Sequence, residues 1–394
     1  MRTEGLLRFI SVRLNEFLQR FAHTLEPSRQ ELLWKLVPGI LASGSLRLSE
    51  IARTQIPCPS RLSAMEKHLS VQLASRHWDH RPLGDTLVAD QAAEVRENTV
   101  LAVDFSEVVK GYGQKLEFLD WVSDRSDPDK RIRPGYWLFE VYRVDPSGQV
   151  APLYLRLFSN RQPRFEGQNK LVDDELFRLR GVLNGRGIWT FDRGFDGWNY
   201  LKPLLTYEQP RWIVRMRGDR NLIDAQGQKK SVREWAEHIR RNLPENRVAG
   251  GWTVRLPADK RWLKLVTCRW KPDTEAEPWM LLTKGFDQVP YTPRKALGGY
   301  VRRWRAEDGI RLLKQRLGCE TFMVHYFRAM QRLLLMEQLA CIFLAELVAE
   351  DSASVGRIEE AALHFDEPIK IRAYRVARGL QRLTAGQPFR VDRR

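Results

Sequence analysis

Two short apolar runs, each closed by an aspartate, limit most tightly what this chain can fold into. Asn98–Phe105 reads NTVLAVDF and carries Asp104 near its end; Gly187–Phe191 reads GIWTF and is followed by Asp192. Runs of this length and composition are buried strands. An acid at such a strand end is held by the sheet while its carboxylate faces a cleft. Either aspartate alone is a weak signal, because Asp also ends strands for local turn reasons. Around them lie further strands at Gly135–Val144 and Val150–Phe158, joined by the turn Asp145–Gly148, and at Trp212–Met216. Helices are predicted over Gln168–Leu183 and Gly197–Tyr207. This order of elements is a mixed α/β core.

The flanks differ from this core. Residues 1–94 read as all-helical, with a helix at Glu31–Val37 ended by Pro38 and Gly39. A short helix near Leu46–Thr54, the turn at Pro57–Ser60 and a helix Arg61–Leu73 carrying Ser63, Lys67 and His68 suit a DNA-binding helix-turn-helix or an ordinary helical hairpin. Core strands and helices fill 95–216. Residues 217–290 are β-rich, with strands at Trp252–Leu256, Trp262–Trp270 and Trp279–Thr283 and a helix at Ser231–Arg241. Residues 291–350 return to helix, and 351–394 form a basic helical tail.

The 65 Lys and Arg against 49 Asp and Glu leave a net charge of +16. Hydrophobic content of 43% and charged content of 29% exclude disorder as the dominant state. The positive excess points to a polyanionic partner, with a membrane surface as the alternative. No apolar run reaches the length of a membrane span, and the N-terminus lacks a signal-peptide core. The four cysteines form no CxxC pair, so neither a disulfide framework nor a cysteine zinc site is readable. A soluble, reduced, intracellular protein is expected.

The most specific pattern begins at Tyr300, in YVRRWRAEDGIRLLK. Tyr300, Arg303, Glu307 and Lys314 are spaced Y-x2-R-x3-E-x6-K, which on one helix puts all four on one face. A salt-bridged surface helix with Arg303 and Glu307 paired is the plain alternative. With Asp104 in AVDFS and Asp192–Phe195 reading DRGF, however, the chain resembles the DDE transposases of bacterial insertion sequences. The likeness is to the Y-R-E-K subgroup, insertion sequence family four, and covers roughly residues 95–350.

That resemblance implies an RNase H-like core interrupted by the β-rich insertion, with Asp104, Asp192 and Glu307 as catalytic residues and metal ligands. It also implies cut-and-paste transposition, with hairpin ends, by a homodimer acting on double-stranded DNA: terminal inverted repeats and target. The site of action would be the bacterial cytoplasm, at the nucleoid. Phosphodiester cleavage suits two Mg²⁺ ions, with Mn²⁺ as a substitute, and oxygen ligands from three carboxylates suffice. Asp104 would bridge both ions, with Asp192 on one and Glu307 on the other; Glu107, Asp196 and Asp308 are neighbouring acids outside the triad. Tyr300, Arg303 and Lys314 would grip phosphates beside the scissile bond, joined by Arg193. Trp304 either stacks on a base or packs in the core, and the same choice is open for Trp252, Trp262, Trp270 and Trp279. Arg372, Arg375, Arg378 and Arg382 share a helix face in the tail, a DNA track or a solvated surface. A catalytically silent protein bound to transposon ends, or an RNase H-like nuclease acting on other DNA, would share the core and the charge.

Overall fold

The computed structural model describes residues 3–56, 58–113, 115–124, 127–129, 131–206, 211–242, 248–268, 279–350, 352–362 and 371–391. The expected Trp270 lies outside them. Five helices open the chain: α1 (Thr3–Ala22), α2 (Pro27–Ser43), α3 (Leu48–Arg53), α4 (Leu62–Ala74) and α5 (Arg81–Ala93). Then come β1 (Val100–Val109), β2 (Asp120–Ser123), β3 (Ile132–Val144), β4 (Val150–Phe158), α6 (Gln168–Leu183), β5 (Ile188–Phe191), α7 (Trp198–Thr206) and β6 (Trp212–Arg215). The β-rich stretch holds β7 (Asn221–Asp224), β8 (Lys229–Ser231), α8 (Val232–Asn242), β9 (Val248–Arg255), β10 (Leu263–Cys268) and β11 (Trp279–Lys284). The chain closes with α9 (Pro293–Arg303), α10 (Ala306–Arg311), α11 (Phe327–Ala349), α12 (Ala353–Ala362) and α13 (Arg372–Thr384).

All described strands join one mixed sheet, ordered β2-β3-β1-β5-β6-β11-β10-β9-β7-β8, with β4 on β3. β1 and β5 are parallel, as are β5 and β6, whereas β1 and β3 are antiparallel. The β-rich stretch therefore continues the central sheet, because β11 pairs with β6. On β1 the side chains alternate. Leu101, Val103 and Phe105 enter a core shared with α6 and α7, while Val100 and Ala102 face the core under α10 and α11. Helices α1 to α4 share that second core with α11 and α13.

One helix departs from expectation. Pro38 and Gly39 do not end α2, which runs on to Ser43. Proline inside a helix costs about 3 kcal/mol. Here Leu32, Leu33, Leu36, Val37, Ile40 and Leu41 are all buried, and burying each contributes about 1.5–3 kcal/mol, which outweighs it. Gly39 meets α3 so closely that a Cβ would lie 2.5 Å from Ile51 Cγ2. The helix stops at Gly44, in the left-handed region at φ 64°, whose N–H donates to the Ile40 carbonyl. Among the described residues no helix is long and apolar enough to cross a membrane.

Candidate active site

The parallel register of β1 and β5 runs from Val100 opposite Ile188 to Val103 opposite Phe191. Asp104 and Asp192 are the next residues on the two strands. Both have the parity of the face covered by α9. Asp192 leaves the sheet and caps the tight turn Arg193–Phe195, its Oδ1 accepting from Gly194 N at 2.8 Å. Asp104 stays in β1. Its Oδ2 accepts from Arg303 Nη2 at 2.6 Å and its Oδ1 from Phe105 N at 2.9 Å.

Arg303 reaches Asp104 because α9 lies directly on the sheet. Gly299 makes this possible: a Cβ there would sit 3.1 Å from Ile213 Cδ1 and would also touch Ile188 and Val100. The next residue, Tyr300, is buried beneath α9 and meets Trp279 of β11 edge-on, with centroids 5.4 Å apart. Burial pushes its phenol up, against the opposing pull of Arg303 and Arg215. Trp279 in turn stacks on Trp304 at 6.0 Å and 11°, and Arg215 lies 5.7 Å over its ring. Trp304 remains half exposed at 46%. The result is an aromatic and cationic wall beside the two aspartates. Of the insertion tryptophans, Trp252 packs on Trp235 and Trp262 lies exposed under Arg255.

The four-residue pattern does not lie on one helix face. Helix α9 ends at Arg303, and Trp304 and Arg305 form a turn before α10 begins. Helix α10 then passes into a π-helical turn, Leu312–Leu317. The break lets each segment seat separately. Trp304 turns out onto Trp279, whereas Gly309 drops onto β3, where a Cβ would be 2.6 Å from Tyr142 Cε1. The Arg303–Glu307 pair of the plain alternative is absent: Arg303 holds Asp104, and Glu307 is 3.8 Å from Arg311 with its side chain 42% exposed. Among the described residues no three of His, Cys, Asp and Glu gather to hold one metal ion. The register thus sets Asp104 and Asp192 on neighbouring strands, and Glu307 is not gathered with them.

Lys314, in the π-helical turn, donates to the Glu107 carbonyl at 2.5 Å and lies 3.5 Å from Glu107 Oε1 and 3.6 Å from Glu320 Oε1. Burial alone would lower its pKa, but the charges of Glu107, Glu320 and Glu140 together raise it. Arg193 is exposed on the turn after Asp192. Asp196 is buried and accepts from Arg217 N at 2.9 Å and Arg220 Nη2 at 3.2 Å, which makes it a loop anchor. Asp308 pairs with Arg305 at 3.4 Å.

Three participants carried too little sequence signal. Glu140 is opposite Asp104 in the β1–β3 register, fully buried, bonded by the Ser106 hydroxyl and pushed up to about 7 by burial. Along the sequence it is one acid inside an apolar strand. Trp279 was one of four equivalent tryptophans. Arg215 was one of several arginines, and only the β6–β11 register sets it beside Trp279.

As a donor set, Asp104 and Asp192 offer carboxylate oxygens, the hard ligands that Mg²⁺ takes. The pair fits such an ion as a partial shell. No family model matches the chain, and no curated protein matches it. Among solved structures it is similar to a piggyBac transposase, in a cryo-EM synaptic complex with hairpin DNA. Identity is 12% over 95% of this chain and 77% of that one, with a TM-score of 0.46, a likeness too distant to carry an argument.

Proposed function

We propose that the protein is a DDE transposase that cleaves the DNA ends of its insertion sequence and joins their 3′-ends to target DNA. The observation that carries this reading is the pair Asp104, inside β1 just past its parallel pairing with β5, and Asp192, just past the end of β5, with Arg303 on Asp104. Asp104 and Asp192 would hold Mg²⁺, and Glu307 is proposed as the third ligand, since its contact with Arg311 is long and exposed. Bound there, two such ions would activate the attacking oxygen and stabilise the leaving oxygen. The chain's own part is positioning. Arg303 offers a planar fork for a phosphate beside Asp104, Tyr300 orders that arginine's surroundings, and Lys314 adds a fixed positive charge behind β1. Trp304, half exposed and backed by Trp279, is a platform for an unstacked base at a hairpin end. Arg193 extends the phosphate contacts.

Helix α4 is proposed to bind the terminal repeats, because its outer face carries Arg61, Ser63, Lys67 and His68, all exposed. The reaction would be run by a homodimer on two DNA ends in the bacterial cytoplasm. The test is Mg²⁺-dependent cleavage of a duplex carrying the sequence that flanks the gene. Asp104→Ala, Asp192→Ala and Glu307→Ala are each expected to abolish nicking while the duplex is still bound. Wild-type nicking by Glu307→Ala would overturn the assignment. The separation of Glu307 from the aspartates favours a second reading, a catalytically silent protein bound to such ends. Binding without nicking at any Mg²⁺ or Mn²⁺ concentration would select it. Cutting of any duplex without strand transfer would instead select a nuclease.

A further inference from the structure

Helix α4 is attached to the body by little. Leu69 and Leu73 are its buried residues, and the rest of its length is half or fully exposed. Met65 adds a partly buried contact with the same core, so three apolar side chains seat the helix. Its C-terminal end, however, is gripped by a residue far away in the chain. Arg332, on α11, is buried at 3% exposure. Its Nη1 donates to the carbonyls of Leu73 and of Ser75, the latter at 2.7 Å, and its Nη2 donates to the Trp78 carbonyl. The guanidinium also lies 4.6 Å over the Trp78 ring. Arg29 adds a bond from Nη2 to Ser75 Oγ at 3.2 Å.

Among the described residues no carboxylate forms an ion pair with Arg332. The charges that act on it are those of Arg328, Arg29 and Asp79, and His80 also feels its charge. Its charge is met instead by the carbonyl dipoles at the end of α4, the negative pole of that helix. A buried cation without a carboxylate is costly unless its donors are used; Nε has no partner here, but both Nη atoms donate to backbone carbonyls, so this is a built joint. Arg332 also sits on the helix that contacts the catalytic sheet: six residues on, Gln338 Nε2 donates to the Leu153 carbonyl of β4. One rigid helix thus spans from the end of α4 to the sheet that carries Asp104.

We propose that Arg332 is a positioning residue that fixes α4 against the catalytic sheet and so sets how far from the bound sequence the duplex is cut. The inference rests on α4 binding the DNA end and on the Asp104–Asp192 site cutting it. Geometry gives the scale. A helix of 13 residues is about 20 Å long, so a tilt of about 10° about its anchored end moves the other end by roughly 3.5 Å. That is about one nucleotide step along a strand. Loosening the joint should therefore spread the cut positions rather than abolish cutting.

The experiment maps nicks at nucleotide resolution on an end-labelled duplex carrying the flanking sequence, with Mg²⁺, using the full chain. Arg332→Met is expected to bind that duplex within about threefold of wild type. It should nick at positions spread over about one or two nucleotides on each side. Arg332→Lys, which keeps a donor for the carbonyls, should narrow the spread again. If Arg332→Met fails to fold, as judged by circular dichroism, Arg332→Gln is read in its place. A single wild-type nick position in the folded variant overturns the proposal, as does loss of binding equal to that of Lys67→Ala. Failure of the underlying reading looks different: wild type itself then gives no nick, or Asp104→Ala nicks normally.

Discussion

Replacing Asp104 by alanine should do two separable things. The first is loss of cleavage. The second follows from Arg303, whose side chain is 8% exposed while its partner's is 20% exposed. Removing Asp104 leaves a buried guanidinium with its Nη2 donor unused beside an Nε that has no partner. Breaking a buried pair from one side costs about 3–5 kcal/mol. Two effects reduce this here. Asp104 is a fifth exposed, and its loss removes repulsion with Glu140 across the β1–β3 register. A net loss of about 2–3 kcal/mol is expected, or about 2–4 °C in Tm for a chain of this size. Asp104→Asn keeps an acceptor and should lose about half as much. Arg303→Met removes the charge, so the double variant Asp104→Asn/Arg303→Met should recover stability while remaining unable to cleave. Urea unfolding of the four proteins gives the coupling directly, and it should be about 2 kcal/mol. If Asp104→Ala melts within about 1 °C of wild type and the coupling is near zero, the pair does not hold α9 on the sheet, and the reasoning fails.

Three other outcomes are expected. Burial and the charges of Arg332 and Arg81 hold His80 down at about 4, against the attraction of Asp79, and its place at the N-terminal end of α5 adds to this. A depressed histidine contributes stability above its ordinary pKa that is lost as pH falls, so about 3 kcal/mol should disappear between pH 6.5 and 4. Unfolding of His80→Gln should lack that part of the acid slope; an unchanged slope refutes the cause given. Gly309→Ala puts a methyl 2.6 Å from Tyr142 and 3.0 Å from Val150. It should cost about 1–3 kcal/mol and slow cleavage by lifting α10, whereas Gly356→Ala, with open space around it, should do neither. Finally, the salt dependence of DNA binding should keep its slope in Arg372→Ala/Arg375→Ala, because both arginines are bonded to Glu359. A fall of about 0.9 per arginine in the log–log slope would show that they contact phosphate.

What could be read in advance followed from periodicity within one segment. Gln168–Leu183 and the second hairpin strand, Val150–Phe158, have the expected bounds because their apolar spacing and turn residues agree with their burial, while the first hairpin strand begins three residues early, at Ile132. Asp192 follows the end of its strand as expected, but Asp104 does not end β1, which runs on to Val109 because pairing with β3 continues that far. What failed depended on neighbours distant in sequence. Helix α2 crosses Pro38 because burial against α3 and α11 outweighs local propensity. The helix break at Trp304 and Arg305 has no proline or glycine to announce it. It depends on Trp279 and Tyr142, which lie on other strands. The tail arginines looked like an open basic face, yet Arg382 donates to the Ala361 and Ala362 carbonyls, besides the pairing of Arg372 and Arg375 with Glu359. The spacing was right, and the partner helix α12 was invisible from it.

The excess of +16 is therefore a poor measure of the surface offered to DNA. Several cations are internal struts. Arg303 ties α9 to β1, Lys314 ties the π-helical turn to β1 through Glu107, and Arg332 ties α11 to the end of α4. Two of these three act on the strand that carries Asp104, and the reason is electrostatic. Asp104, Asp192 and Glu140 crowd one corner of the sheet, and like charges there oppose folding. Glu140 avoids the conflict by holding its proton up to about pH 7, and Asp104 by accepting Arg303. At Asp104 the balancing positive charge comes from Arg303. Under the proposed reading, Asp104 would hold a divalent ion and Arg303 would turn to a phosphate of the DNA strand. The residue that pairs with Asp104 in the folded protein and the residue that grips the substrate would then be the same.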